Sequence, residues 1–245
     1  MTNELKISAG SYDLNKFLFG GYETDIITTI YGQAGSGKTN LCMLAAVSQA
    51  KKANKVIYID TEGGFSVERF KQLAGESYKE SLENLIILKP VNFEEQIKAF
   101  EALIKELKNK GQIGLIVVDG MTMLYRLELA EASQENNQQQ IKNINSELAR
   151  QMRTLAEIAR NRQIPIIITN QVYGEFLSRE EYESGKKREF HMVGGDILKY
   201  WSKCIIELQN ERGRRKLILK KHRSLPEKEL EFEITREGIR RRGWI

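Results

Sequence analysis

Cysteine and histidine are scarce in this chain. Its 245 residues include two cysteines, Cys42 and Cys204, and two histidines, His191 and His222. Neither cysteine sits in a C-x-x-C pair and neither histidine has a partner at ligand spacing. That excludes a zinc cluster and a disulfide framework, and reads the thiols as buried groups of a reducing compartment. No apolar run approaches the roughly eighteen residues that a membrane span needs. The N-terminus lacks the charged-then-apolar order of a signal peptide. No internal repeat and no linker interrupt the chain, so one domain covering residues 1–245 is expected, soluble and cytoplasmic. With 41% hydrophobic and 29% charged residues, the composition is neither disordered nor fibrous. The length suits one good-sized core.

The net charge of +5 is modest, but its placement is uneven. From residue 210 onward there are twelve Lys/Arg against six Glu, a surplus of +6, so the preceding residues carry −1 (26 basic, 27 acidic). A C-terminal region this basic points to a polyanionic partner. The bland alternative is a set of edge strands protected by lysine and arginine.

Apolar runs and helical periodicities alternate along the first two thirds of the chain. The spacing predicts strands at Ile26–Tyr31, Lys55–Asp60, Leu85–Leu88, Ile113–Asp119 and Pro165–Asn170. Helices are predicted at Asn40–Lys52, Val67–Ala74, Phe93–Lys110 and over a long segment ending near Arg162. Such alternation implies an α/β fold, a mostly parallel twisted sheet with helices on both faces. Beyond residue 200, short strands joined by turns at Gly213 and Leu225-Pro226 predict an antiparallel C-terminal extension. Two polar stretches, Ser133–Gln140 and Glu175–Met192, read as non-core loops on the ligand-binding side of the sheet.

The chemistry concentrates in Gly32-Gln33-Ala34-Gly35-Ser36-Gly37-Lys38-Thr39, which fits the G-x-x-x-x-G-K-[ST] phosphate loop between an apolar strand and a helix. Glycines let backbone N–H groups turn onto phosphate oxygens, and the helix N-terminus adds its positive dipole end. Lys38 is placed to reach the outer phosphates, and the Thr39 hydroxyl to ligate Mg²⁺. Asp119 ends the apolar run Leu115–Val118 and is placed to hold the metal through water, opposite Thr39. Asp60 and Glu62 end the strand expected beside the phosphate loop, and Glu62 is the candidate base for the attacking water. Gln171, after Thr169-Asn170, puts an amide where a γ-phosphate could be sensed and relayed to the following loop.

These motifs, with Gly20-Gly21-Tyr22-Glu23-Thr24, Tyr58-Ile59-Asp60-Thr61-Glu62-Gly63, Tyr125-Arg126, Ala149-Arg150-Gln151-Met152, Gly194-Gly195 and Leu225-Pro226-Glu227, resemble RecA-superfamily recombinase cores over essentially the whole chain. The likeness is to the archaeal and eukaryotic branch that contains RadA. It implies a RecA-like P-loop ATPase core with ATP and Mg²⁺ as cofactors. Residues 32–39 and Asn40 would line the ATP site, with Arg69 stacked on the adenine. Lys38, Glu62 and Gln171 would be the catalytic set, and Thr39 and Asp119 the Mg²⁺ set. The segments Arg126–Gln140 and Gly174–Met192 would be two DNA-binding loops, with Arg126, Lys186, Lys187 and Arg188 on phosphates. Tyr173, Phe176, Tyr182 and Phe190 would be available for stacking on bases. The implied partners are DNA, single-stranded first and double-stranded second, and a RadA-type recombinase, with no membrane and a nucleoid-associated location.

Three departures from the pattern shape the expectation. Little chain precedes Gly10, so the N-terminal DNA-binding domain and filament-joining linker of full recombinases have no counterpart in this sequence. Slow, DNA-dependent ATP hydrolysis in an accessory role is therefore expected, without autonomous strand exchange. The segment Glu131–Ile144 is rich in Gln and Asn, and Lys221 stands where the branch places an interface acid. A signalling ATPase of the KaiC type, acting on a protein without DNA, remains the alternative. A small-molecule kinase is disfavoured because no Arg-rich lid is present.

Overall fold

The structure, a computed structural model, describes residues 5–109, 111–174 and 190–243. In chain order its elements are β1 (Lys6–Ile7), α1 (Tyr12–Phe17), β2 (Tyr22–Glu23), β3 (Ile27–Gly32), α2 (Lys38–Ala50), β4 (Lys55–Asp60), α3 (Val67–Ala74), α4 (Tyr78–Glu83) and β5 (Leu85–Leu88). There follow α5 (Phe93–Glu106), β6 (Ile113–Asp119), α6 (Met123–Gln134), α7 (Gln138–Arg162), β7 (Ile166–Asn170), β8 (Val172–Gly174), β9 (Phe190–Met192) and α8 (Gly195–Trp201). The chain closes with β10 (Ser202–Glu211), β11 (Arg214–His222), β12 (Lys228–Thr235) and β13 (Gly238–Arg241).

Nine strands form one sheet in the order β13-β12-β11-β10-β3-β7-β6-β4-β5. The six from β10 to β5 are mutually parallel, and β11, β12 and β13 add antiparallel. Strand side chains alternate between faces, so each parallel strand feeds two cores. Val56, Tyr58, Leu115, Val117 and Ile167 pack with α1–α4. Ile57, Ile59, Ile116, Val118, Ile166 and Ile168 pack with α5–α8. Helices on both faces and the antiparallel extension are as the apolar pattern predicts.

Two expectations are corrected. The strand that ends at Asp60, two residues before Glu62, is not beside the phosphate-loop strand: β7 and β6 lie between β3 and β4. Helix α2 packs across β6 to deliver the chain to β4, a crossover that hydrophobic periodicity does not encode. The Ser133–Gln140 stretch is not a loop either. Helix α6 continues to Gln134 and α7 begins at Gln138, leaving only residues 135–137 between them. Asn136 takes a left-handed φ of 53°, and the Asn137 side chain caps α7 by accepting from Gln140 N at 3.0 Å. Asparagine tolerates that conformation and caps well, so a polar run here is a helical hairpin corner.

The basic C-terminal strands are extensively paired. Leu217, Leu219, Phe232 and Ile239 turn into the α1–α4 core. On the opposite face the register sets Glu211 across from Arg214, Lys216 across from Glu231, and Glu233 across from Arg240. Lys216 lies 3.0 Å from Glu229, Lys220 lies 3.9 Å from Glu227, and Arg240 pairs with Glu233. Arg223 engages Glu23 at 2.9 Å and Asp25 at 2.6 Å. Lys221 donates to the carbonyl of Lys199 at 2.8 Å. Acid and base columns alternate across the sheet, the arrangement that stabilises cross-strand neighbours. These pairs fix the register of the sheet but, apart from Arg223, draw on Glu residues already counted in the +6, and Arg212, Arg214, Arg236, Arg241 and Arg242 stay exposed.

Candidate functional site: a phosphate loop at the middle strand

The phosphate loop leaves the C-terminal end of β3 and turns into α2. Gly35 and Gly37 adopt φ of 72° and 112°, which a side chain would strain. Gly32 is required for a different reason: a β-carbon there would lie 2.3 Å from the Leu208 carbonyl of neighbouring β10. Gly37 is the N-cap of helix α2 and offers no side-chain cap, so the helix's first N–H groups are left for a ligand. The Ser36 hydroxyl is buried and without a partner. Lys38 is 6% exposed, and its ammonium donates to the carbonyls of Gly32 and Gln33 at 3.0 and 3.1 Å. Burial pulls the Lys38 pKa down, while Glu62 and Asp119 oppose that shift. The loop is wound around its own lysine, with phosphate donors in place.

Asp119 ends β6 fully buried. Its Oδ2 accepts from Tyr58 at 2.8 Å and its Oδ1 from Thr169 at 2.6 Å. A β-carbon added to Gly64 would lie 3.2 Å from Thr39 Oγ1 and 3.9 Å from Asp119 Oδ2, so both oxygens border one small space. A hydroxyl and a carboxylate oxygen are the hard donors that Mg²⁺ prefers, with water completing the shell.

Between β4 and α3 the chain folds over this space. Asp60 caps the turn, accepting from Gly64 N and Phe65 N at 3.0 Å each. Thr61 donates to the carbonyls of Asp119 and Gly120 at 3.0 and 2.7 Å. Together they bring Glu62 across to β6, where a β-carbon on Gly120 would meet Glu62 Cγ at 2.7 Å. That contact compensates for the two strands separating β4 from β3. The Glu62 carboxyl is pushed up by burial, against a hydrogen bond from Gln171 and the charge of Lys38. Its Oε1 is buried and without a partner. An unpaired acceptor beside a phosphate loop is a suitable seat for a water.

Gln171 follows β7, whose Asn170 bonds Thr122 and donates to the Val193 carbonyl at 2.6 Å. Val193 N in turn donates to the Gln171 carbonyl at 3.4 Å. The amide that meets Glu62 is thus continuous with the β8–β9 hairpin.

Arg69, on α3, is held at its edge by four acceptors: Asn40 Oδ1 (2.8 Å), Gln72 Oε1 (2.9 Å), and the carbonyls of Thr235 (2.8 Å) and Arg236 (3.0 Å). Four of its five N–H donors are spent on protein, which leaves the guanidinium plane for stacking and little for reading a base edge. Replacing Arg69 with alanine is therefore expected to weaken ATP and GTP binding by a similar factor, and to loosen the α3 tether to the β12–β13 turn. Isothermal titration with both nucleotides, alongside a melting curve, measures the two effects.

Arg126 lies exposed on α6, on a helix where the resemblance implied a loop. Lys186, Lys187 and Arg188, with Phe176 and Tyr182, lie outside the described residues. Gln33, Ala34 and Gly35 line the exposed mouth of the loop. The supporting residues Tyr58, Thr61, Gly120 and Thr169 carried no mark in the sequence as site residues. Tyr58 and Thr169 sit in strand runs that read as core.

Among the described residues, no helix is long and apolar enough to cross a membrane. The family model described as Rad51 matches residues 2–242. The DNA repair and recombination protein RadB of Methanocaldococcus jannaschii is 42% identical over 226 residues, covering 92% of this chain and 98% of that protein. The proteins of that name from Methanobrevibacter smithii and Methanococcus maripaludis strain C7 are 39% and 41% identical. Those alignments cover 92% of this chain in each case, and 92% and 96% of the relatives. The phosphate loop, the carboxylate-ended strands and this likeness along nearly the full chain agree, and the chain belongs to the Rad51 family of RecA-like proteins.

Proposed function

We propose that this protein binds ATP with Mg²⁺, hydrolyses it slowly, and serves DNA recombination and repair as an accessory to a RadA-type recombinase. The observation that carries the reading is the convergence of Lys38, Thr39, Asp119, Glu62 and Gln171 around one space at the C-terminal end of the sheet. ATP with magnesium is the family's general ligand set, and the residues present fit it. The uncapped α2 N-terminus, the unpartnered Ser36 hydroxyl and the Thr39–Asp119 oxygen pair are the donors such a ligand uses. Thr39 would hold the metal directly and Asp119 through water, and the metal would supply charge neutralisation between the outer phosphates.

The rest is done by side chains of this chain. Lys38 leaves the carbonyls of Gly32 and Gln33 for phosphate oxygens and counters the charge that develops on them. Glu62 Oε1 accepts from the water that will attack, orienting it and taking its proton. Gln171 lies near enough to the Glu62 carboxyl to oppose the rise of its pKa, so a change at the phosphate would reach the β8–β9 hairpin through one amide. A KaiC-type role is not favoured, since the relatives that align over 92% of this chain carry recombination and repair names.

The test has two arms. ATPase turnover is measured alone, with single-stranded DNA, and with DNA plus a cognate recombinase; stimulation in the last two is expected. In parallel, oligonucleotide binding is followed across salt, comparing the wild type with the triple alanine variant at Lys186, Lys187 and Arg188. Each phosphate contact to a single strand contributes about 0.7 to the log–log slope, so the variant should lose about 2. Salt-insensitive or absent binding would remove DNA from the reading.

A further inference from the structure

Asp119 is a buried carboxylate whose two oxygens are each held by a neutral hydroxyl. Tyr58 gives its single proton to Oδ2 at 2.8 Å. The phenol is fully enclosed, and burial together with the neighbouring carboxylate holds its proton on. Thr169 Oγ1 accepts from Gly120 N at 2.8 Å, so its own proton is directed to Oδ1 at 2.6 Å. The two donors come from β4 and β7, the strands flanking β6 on either side. They fix the rotation of the carboxyl plane that Asp119 alone would leave free. The oxygen bonded by Tyr58 is also the one that borders Gly64 beside Thr39.

We propose that Tyr58 and Thr169 are positioning residues for the magnesium site, a cross-strand clamp that aims the unshared lone pair of Asp119 Oδ2 at the space next to Thr39. This rests on the nucleotide-binding reading above and adds to it the residues that set cation affinity. A carboxylate with both oxygens restrained loses no rotational freedom when the hydrated cation arrives, so its affinity is higher than that of a free one. The Tyr58 ring packs edge-on against Phe65, with centroids 5.1 Å apart, so Tyr58→Phe keeps the packing and removes only the donor.

The experiment measures Mn²⁺ binding by electron paramagnetic resonance, in the presence of a non-hydrolysed ATP analogue, for the wild type and for Tyr58→Phe, Thr169→Val and Thr169→Ser. Tyr58→Phe is expected to weaken cation binding about tenfold, the scale of one hydrogen bond to a charged group. Affinity for the nucleotide in excess chelator should stay within twofold of wild type. Thr169→Val should weaken the cation as well, and Thr169→Ser, which keeps the hydroxyl, should restore it. Should Tyr58→Phe fail to fold, the Val/Ser pair carries the test unaided. Equal cation affinity in the wild type and the donor-less variants would overturn the clamp, as would an equal loss of nucleotide affinity in chelator. A wild type that binds no nucleotide would instead overturn the underlying site.

Discussion

Lys38→Ala is expected to yield a folded protein whose affinity for ATP·Mg²⁺ is at least ~100-fold lower, the scale for removing one partner of a buried charged contact. In the ligand-free chain the ammonium has two backbone carbonyls for company, those of Gly32 and Gln33, and sits where burial already depresses its pKa. Phosphate oxygens are better partners than carbonyls for a buried cation, and exchanging one set for the other is the lysine's part in binding. The fold should tolerate its loss, because removing the ammonium also removes the cost of enclosing a charge. Fluorescent-nucleotide titration and a melting curve on the same sample separate the two effects. An affinity equal to wild type would reject the phosphate-loop assignment.

Glu62→Gln should bind ATP as the wild type does and turn it over about 10²–10⁴ times more slowly, the range for loss of a general base. The carboxyl is pushed above the usual glutamate value by burial, with Gln171 and Lys38 pulling it partly back. The base must be ionised to act. Wild-type turnover should therefore decline as pH falls through this raised pKa, at a higher pH than an exposed glutamate would give, and recover above it. The glutamine variant should lack that acid limb. A steady-state pH profile of both proteins decides the matter. Equal turnover would move the base to another residue, and an unchanged acid limb would assign the titration elsewhere.

The local parts of this site were legible from residue order, and the parts built between strands were not. The phosphate loop, Asp119 and the ends of β4 through β7 are short-range signals, because a glycine-rich turn after an apolar run constrains its own geometry. Strand order is set by how α2 crosses the sheet, and periodicity is blind to that. Hence β4 was expected beside β3, although β7 and β6 intervene. Glu62 nevertheless reaches the site through contacts between distant residues, Thr61 with Asp119 and Gly120, and Glu62 over Gly120. Tyr58 was invisible for a related reason: a tyrosine alternating with isoleucines reads as core, and only the Asp119 oxygen opposite its hydroxyl shows otherwise. The Ser133–Gln140 segment was misread because glutamine and asparagine mark solvent exposure, and exposed residues belong to helices as readily as to loops.

Strand β3, which bears the phosphate loop, is the fifth of nine, with four strands on either side. Thermal opening of a sheet begins at its margins, where amides are bonded on one side only. Unzipping from β13 or from β5 must pass through four neighbours before it loosens Ile27–Gly32. The nucleotide cradle is thereby tied to the segment whose amides are last to exchange with solvent, and marginal breathing at the rims costs the anchor nothing.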